Sequence, residues 1–317
     1  MNKKRLLVVP ALLTAAALLF GGCSDGTKQK EAVRQAIRKQ AEVGQYRFAG
    51  SLSVEWEAAA DSAAKPLAAG LLNALNGAAV EFAGAASRDP VRLEATFKMT
   101  PKSGASVSVP ILIKDNKMYA QFPLVNKPDE YIAFDLANPA AAPAAGPLSP
   151  EALGRSNEAM AGMLDKLLAD IDPKWFAETK SGDGGTAVTY AVDITDRNAQ
   201  ELSALLRTKA PEWAGMLRDA GLLAQAKADA AAKSAGGAEL RLKAPGSIRI
   251  TVGEKQFVER IALDVSGETA VSAGTPRGFR MKLDYALSGI NEPPAFEKDV
   301  PAKTKPFEDL LKGLPKK

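Results

Sequence analysis

The sequence predicts an α+β fold, an antiparallel sheet with helices laid on one of its faces. Three observations carry this reading. Apolar and polar residues alternate along Tyr46–Glu57 and again along Val91–Thr100, the pattern of strands with one buried face. Turns of a few residues separate successive strand-like segments, which joins them as antiparallel meanders. The segments also fall in blocks of helix, meander, helical middle and second meander, the order of an α+β domain.

Taken in order, the chain opens on a leader. Lys3, Lys4 and Arg5 precede an almost wholly apolar run, Leu6–Phe20, closed by Gly21, Gly22 and Cys23. As a helix that run spans about 22 Å, short of the roughly 30 Å hydrocarbon core of a bilayer. A basic head, a short apolar body and small exit residues describe a secretory signal peptide. Gly21-Gly22-Cys23-Ser24 resembles a bacterial lipobox, although Phe20 stands where that pattern favours Leu. The resemblance implies cleavage after Gly22 and a diacylglycerol thioether on Cys23, the chain's single cysteine. Residues 1–22 are then the lipoprotein signal peptide and 23–27 the lipidated cysteine with a short tether. Residues 28–317 form one domain with helical insertions. Ser24–Thr27 reach about 14 Å at most, so the body sits close to the headgroups on the extracytoplasmic face of the cell membrane.

Lys28–Val43 has helical spacing at Val33, Ala36 and Ile37. Its cations Lys28, Lys30, Arg34, Arg38 and Lys39 either meet anionic headgroups or form a solvated face. Tyr46–Glu57 is a strand. In Ala58–Gly77, Leu67, Leu71, Leu72 and Leu75 suggest a short helix or an insertion. Strands follow at Val80–Ala86, Val91–Thr100 and Val107–Ile113, where Pro110 implies an edge or a bulge. Asp115-Asn116-Lys117 turns the chain into Met118–Phe122, and Tyr131–Leu136 ends the first meander.

Ala137–Pro147 is an uncharged Ala/Pro connector. Ser149-Pro150-Glu151 has the chemistry of a helix start. Met160, Met163, Leu164, Leu167, Leu168 and Ile171 then form an apolar stripe, which Asp172-Pro173 ends. Gly182–Gly185 reads as a turn and Thr186–Ile194 as a strand. Thr195 is expected to cap a helix through Arg207, and Pro211 to open a second one towards Ser234. Strands resume at Ser247–Val252, Gln256–Ser266 and Phe279–Leu287, and Phe307–Leu311 reads as a short helical tail.

Composition limits the chemistry. Loss of Met1–Gly22 removes three of the 41 basic residues; 38 remain against 37 acidic ones, a formal charge of +1. That near-neutral balance argues against a nucleic-acid partner. There is no histidine, which excludes Ser-His-Asp and Cys-His nucleophiles and His-ligated zinc. No carboxylate pair is singled out by its spacing. The chain reads as non-enzymatic and without a cofactor or metal.

Particular phrases carry a family resemblance. Lys114-Asp115-Asn116-Lys117-Met118-Tyr119, followed by Tyr131-Ile132-Ala133-Phe134-Asp135-Leu136, resembles the central hairpin of the LolA/LppX-like superfamily of bacterial lipoproteins and lipoprotein carriers. Leu283-Asp284-Tyr285, Ile290-Asn291-Glu292-Pro293 and Val300-Pro301 resemble its closing strand and tail. The alanine-rich insertions around Ala58–Gly77 and Ala224–Ala235 depart from the compact members. The resemblance implies an antiparallel sheet curled into a half-open β-barrel, with helices covering an apolar concave face. It also implies a hydrophobic or amphiphilic ligand, a lipid or acyl chain, bound on that face. The alternative is a structural or sensory lipoprotein that docks a protein partner at the cell envelope. Trp56, Phe97, Met99, Met160, Met163, Leu167 and Trp213 are the candidate ligand-lining residues, being wide aromatics and adaptable Met and Leu side chains.

Overall fold

The computed structural model describes residues 26–57, 75–123, 127–137, 150–180, 186–225, 228–230, 238–271, 276–307 and 309. The leader, Cys23 and the start of the tether lie outside them. So do residues 58–74, nearly all of the Ala/Pro connector, the turn segment 182–185 and the stretch 231–237.

The first meander comprises β1 (Gln45–Trp56), β2 (Ala79–Arg88), β3 (Val91–Thr100), β4 (Val107–Lys114), β5 (Lys117–Ala120) and β6 (Tyr131–Asp135). The second comprises β7 (Phe176–Lys180), β8 (Val188–Ile194), β9 (Ala238–Val252), β10 (Val258–Val271) and β11 (Arg277–Ser288). A three-residue strand, β12 (Thr304–Pro306), follows. All belong to one sheet, in the order β12-β6-β5-β4-β3-β2-β1-β11-β10-β9-β8-β7. Every neighbouring pair is antiparallel except β12–β6, which is parallel. The sheet is curled and not closed, since β12 and β7 stand at its two ends. β1 is its hinge, pairing with β2 on one side and with β11 on the other.

The alternation read from the sequence sorts the two faces. Tyr46, Phe48, Leu52 and Val54 of β1 share a face with Leu287, Leu283 and Met281 of β11. Ile261 and Leu263 of β10 continue it. The opposite, outer face is charged and laced with cross-strand pairs, among them Arg260–Asp284, Arg280–Asp264 and Lys98–Glu81. Such exposed pairs contribute little stability each, but they keep that face in water. Asp115 and Asn116 both take positive φ, 54° and 58°, as a two-residue hairpin turn requires.

Helices α1 (Gly26–Lys39), α2 (Pro150–Asp170) and α3 (Ala199–Asp219) lie on the inner face. Val33 and Ile37 of α1, Leu168 of α2 and Leu202 of α3 bury against Val192, Ile194, Leu242, Ile250 and Val258. A second core forms at the other end of the sheet from Ile113, Met118, Ile132 and Phe134. Phe307 stacks there on Phe134, 4.7 Å between ring centres.

Several boundaries differ from expectation, each for a tertiary reason. The helices expected on either side of Pro211 are one helix, α3, with Pro211 inside it. Pro211 and Arg207 are both exposed, so the carbonyl deprived of its amide partner meets water. Thr195 does not cap this helix with its side chain; its hydroxyl hydrogen-bonds Asn198 Oδ1 instead. β9 starts at Ala238, nine residues before the expected Ser247. Ala244-Pro245-Gly246 falls where pairing with β8 ends and the β10 register shifts between Asp264 and Ser266. A proline is tolerated at such a site because no ladder bond is asked of it. β7 and β12 are further strands that the pattern did not signal, being only five and three residues long. The expected tail helix keeps only Phe307 and Asp309 among the described residues.

Lys30, Arg34, Arg38 and Lys39 of α1 make contacts within the fold, while Lys28 and Arg38 remain exposed. Lys30 Nζ donates to the Ala169 and Ile171 carbonyls, 2.6 and 2.8 Å away, and so caps the end of α2. Arg34 grips Asp165 through Nε and Nη2 at 2.9 and 3.2 Å. Arg38 reaches the same carboxylate at 2.9 Å. Lys39 lies over the Phe257 ring. These contacts lock α1 to α2, and with it one wall of the site described below.

On the outer face Glu94 is 9% exposed and holds the chain after Pro294. Its carboxylate accepts from the Glu297 and Lys298 amides at 2.9 and 3.1 Å and from Arg92 Nη2 at 2.8 Å. Glu94→Ala would strand two amides and a guanidinium. We expect a loss of about 2 kcal/mol in urea unfolding, with faster amide exchange at Glu297 and Lys298. Unchanged exchange there would show that the carboxylate does not hold the tail.

Candidate functional site

Between the two cores the inner face is not filled. α1 and the single turn after it form one wall of a groove through Ile37, Gln40 and Val43. α2 forms the other through Asn157, Met160, Ala161 and Leu164. Tyr46, Val258, Ile261, Leu283, Tyr285 and Leu287 make the floor. The α2 residues recur at i, i+3, i+4 and i+7, one stripe of that helix. The floor residues come from three neighbouring strands in register, with Ile261 opposite Tyr285 and Leu52 opposite Leu283.

The groove encloses about 320 Å³, at the lower end of the range for ligand pockets. A dry cavity of roughly 150 Å³ takes up the six carbons of benzene, so this one has room for about a dozen. That is one alkyl chain, not two.

Few polar atoms enter it. The Tyr46 and Tyr285 hydroxyls and the Asn157 amide are neighbours that influence one another in this groove. Burial pushes the Tyr46 hydroxyl up, opposed by the neighbouring Tyr285 and Asn157 side chains and by the charge of Arg88. Burial raises Tyr285 much further. Both phenols therefore stay neutral at any physiological pH. Gln40 Nε2 donates to the Val258 carbonyl at 2.9 Å, while its Oε1 is buried with no partner among the described residues.

From this node a row of rings crosses the sheet. Phe48 lies 6.5 Å from Tyr285, Phe82 6.0 Å from Tyr285 and Phe97 6.1 Å from Phe82. Glycines make room for them: a Cβ on Gly50 would come within 2.7 Å of the Phe82 ring, and one on Gly84 within 2.8 Å of Phe48.

Of the residues selected from the sequence, Met160 lines the groove, 47% exposed. Phe97 ends the aromatic row, and Met99 stands opposite Val80 farther along the same face. Trp56 is at the far end of β1, opposite Phe279, with its backbone clamped by the Asn76 amide at 2.7 and 2.9 Å. Leu167 packs on the helix-covered core. Met163 is half-buried on α2. Trp213 sits on α3, its Nε1 buried without a partner among the described residues. Cys23 lies outside the described residues. Selection by bulk and softness found one wall residue. The floor was missed because Tyr46, Leu283 and Tyr285 meet only through the β1–β11 pairing, more than 200 residues apart in the chain.

A wider cleft of about 660 Å³ opens between α3 and β9. Asp196, Arg207, Glu239, Arg241 and Lys243 line it, which does not suit an alkyl chain. Among the described residues no cluster of acidic side chains is arranged to hold a metal.

No protein-family model matches the chain, and no curated protein does. Among solved structures, the crystal structure of LprF from Mycobacterium bovis aligns with 86% of this chain and 97% of its own. Its identity is 9% and its TM-score 0.36. The chemistry of the groove is accordingly read from its own side chains.

Proposed function

We propose that this chain is an extracytoplasmic lipoprotein, anchored to the cell membrane through lipid on Cys23, that binds one amphiphilic molecule without chemically altering it. The observation that supports the reading most is the groove between α1, α2 and the β1–β11–β10 floor. It is apolar, open along one side, sized for one alkyl chain and fitted with a few neutral polar groups. Burying apolar ligand surface there is favourable by roughly 25 cal/mol per Å². Fold alone would not establish this, since one fold serves many tasks.

The test uses the soluble mature body, stripped of bound lipid and titrated with a fluorescent fatty acid, with native mass spectrometry in parallel. We expect saturable binding at micromolar concentration and one ligand per chain. Absence of any amphiphile binding at that concentration would defeat the reading and leave docking of a protein partner in its place.

A further inference from the structure

The groove has a charged end. Tyr46 and Asn157 line both the groove and an adjoining recess of about 70 Å³. Ala86, Ser87, Arg88, Val91 and Ser156 complete much of that recess. At roughly 30 Å³ per water, it holds about two water-sized groups, the bulk of a carboxylate.

Two arginines adjoin it, and they are not equivalent. Arg92 alternates onto the outer face with Glu94; its Nη2 donates to Glu94 and to the Lys298 carbonyl and its guanidinium lies over Phe296, while its buried Nε has no partner among the described residues. Arg88 pairs with Val91 across β2 and β3, two positions along from Ala86, which stands opposite Tyr46. That alternation places Arg88 on the inner face with the groove. Its Nη1 donates to the Ala41 carbonyl at 2.9 Å, fixing it against the turn after α1. Its anionic neighbour is Glu158, loosely placed at 3.6 Å from Nη2 and 59% exposed. An ion pair so exposed is weak, so Arg88 brings a positive charge to the groove's end that is poorly neutralised. A guanidinium presents donors in a fork that matches an oxyanion.

Resting on the amphiphile reading above, we propose that the ligand is a single-chain amphiphile with a compact anionic head. The chain lies in the groove, and the head is held by Arg88 with Tyr46 and Asn157. A carboxylate and a phosphate share this chemistry, and a neutral head of the same size does not. The neutral phenol and amide supply hydrogen bonds while Arg88 supplies the charge.

Laurate, dodecyl phosphate and dodecanol share one chain length and differ in the head, so their relative affinities isolate the recess. Calorimetry on the mature protein should show laurate binding at least tenfold more tightly than dodecanol. Dodecyl phosphate should exceed laurate only if the recess admits the larger head. Arg88→Gln should bring the laurate-to-dodecanol ratio close to one, and Arg88→Lys should restore part of it. Glu158→Gln, at an exposed position that the fold tolerates, should raise the ratio severalfold by removing the competing carboxylate. A wild-type ratio near one, or a ratio indifferent to both Arg88→Gln and Glu158→Gln, would overturn the anionic-head proposal while the groove reading stood. Failure of all three probes to bind would remove the groove reading, and this proposal with it.

Discussion

Leu283→Trp is expected to weaken binding of a twelve-carbon amphiphile by well over tenfold while leaving thermal stability within a few degrees of wild type. Leu283 sits in the centre of the groove floor, flanked by Leu52 on β1 and Leu263 on β10. An indole at that position projects into the empty volume and displaces part of the chain. Each buried methylene contributes about 0.8 kcal/mol, so excluding three costs about fifty-fold in affinity. The substitution also separates an open groove from a filled core. In a close-packed core, adding a ring forces neighbours off their rotamers at a cost of about 1–3 kcal/mol. In an open groove the ring finds space and gains contacts. Titration together with a thermal melt reads both. Lost stability with unchanged binding would mean that the space is not where the ligand goes.

The second large effect concerns Cys23. Cys23→Ser is expected to abolish palmitate labelling of the expressed chain and to remove the diacylglycerol mass from the intact protein. One acyl chain holds a protein at a bilayer only marginally, whereas two or three hold it firmly. Every acyl chain of the proposed anchor depends on this sulfur or on the amine exposed by cleavage beside it. The effect is therefore all or none. Intact-mass spectrometry of membrane-extracted wild type and variant measures it, and equal labelling of the two would refute the anchor. The consequence for the groove is positional. With α1 beginning at Gly26, the folded body would start three residues after the proposed anchor.

How far the sequence carries can be judged element by element. The alternation of Tyr46–Glu57 and Val91–Thr100 determined which side chains face inward, because a period of two admits only that sorting. The stripe from Met160 to Ile171 determined that α2 buries one face, since a helix with one apolar stripe packs it against a neighbour. The near-neutral body and the missing histidine bounded the chemistry before any contact was known.

Tertiary structure alone decided the rest. The contacts of Lys30, Arg34 and Arg38 were not legible because sequence does not show that Asp165 and the carbonyl end of α2 lie opposite them. Pro211 looked like a boundary because its tolerance depends on exposure, not on propensity. The strand expected from Ser247 begins at Ala238, because whether Pro245 can sit in a strand depends on where its neighbour stops. The site follows the same rule. Met160 was accessible to sequence reasoning as a soft residue on an amphipathic helix. The floor of Tyr46, Leu283 and Tyr285 was not, nor was Arg88 at its end. Those residues share a site only because β1 pairs with β11 and with β2 at once, and a pairing register between distant segments is a property of the folded sheet. Local periodicity says which way each side chain points; only closure of the long-range pairs says what it points at.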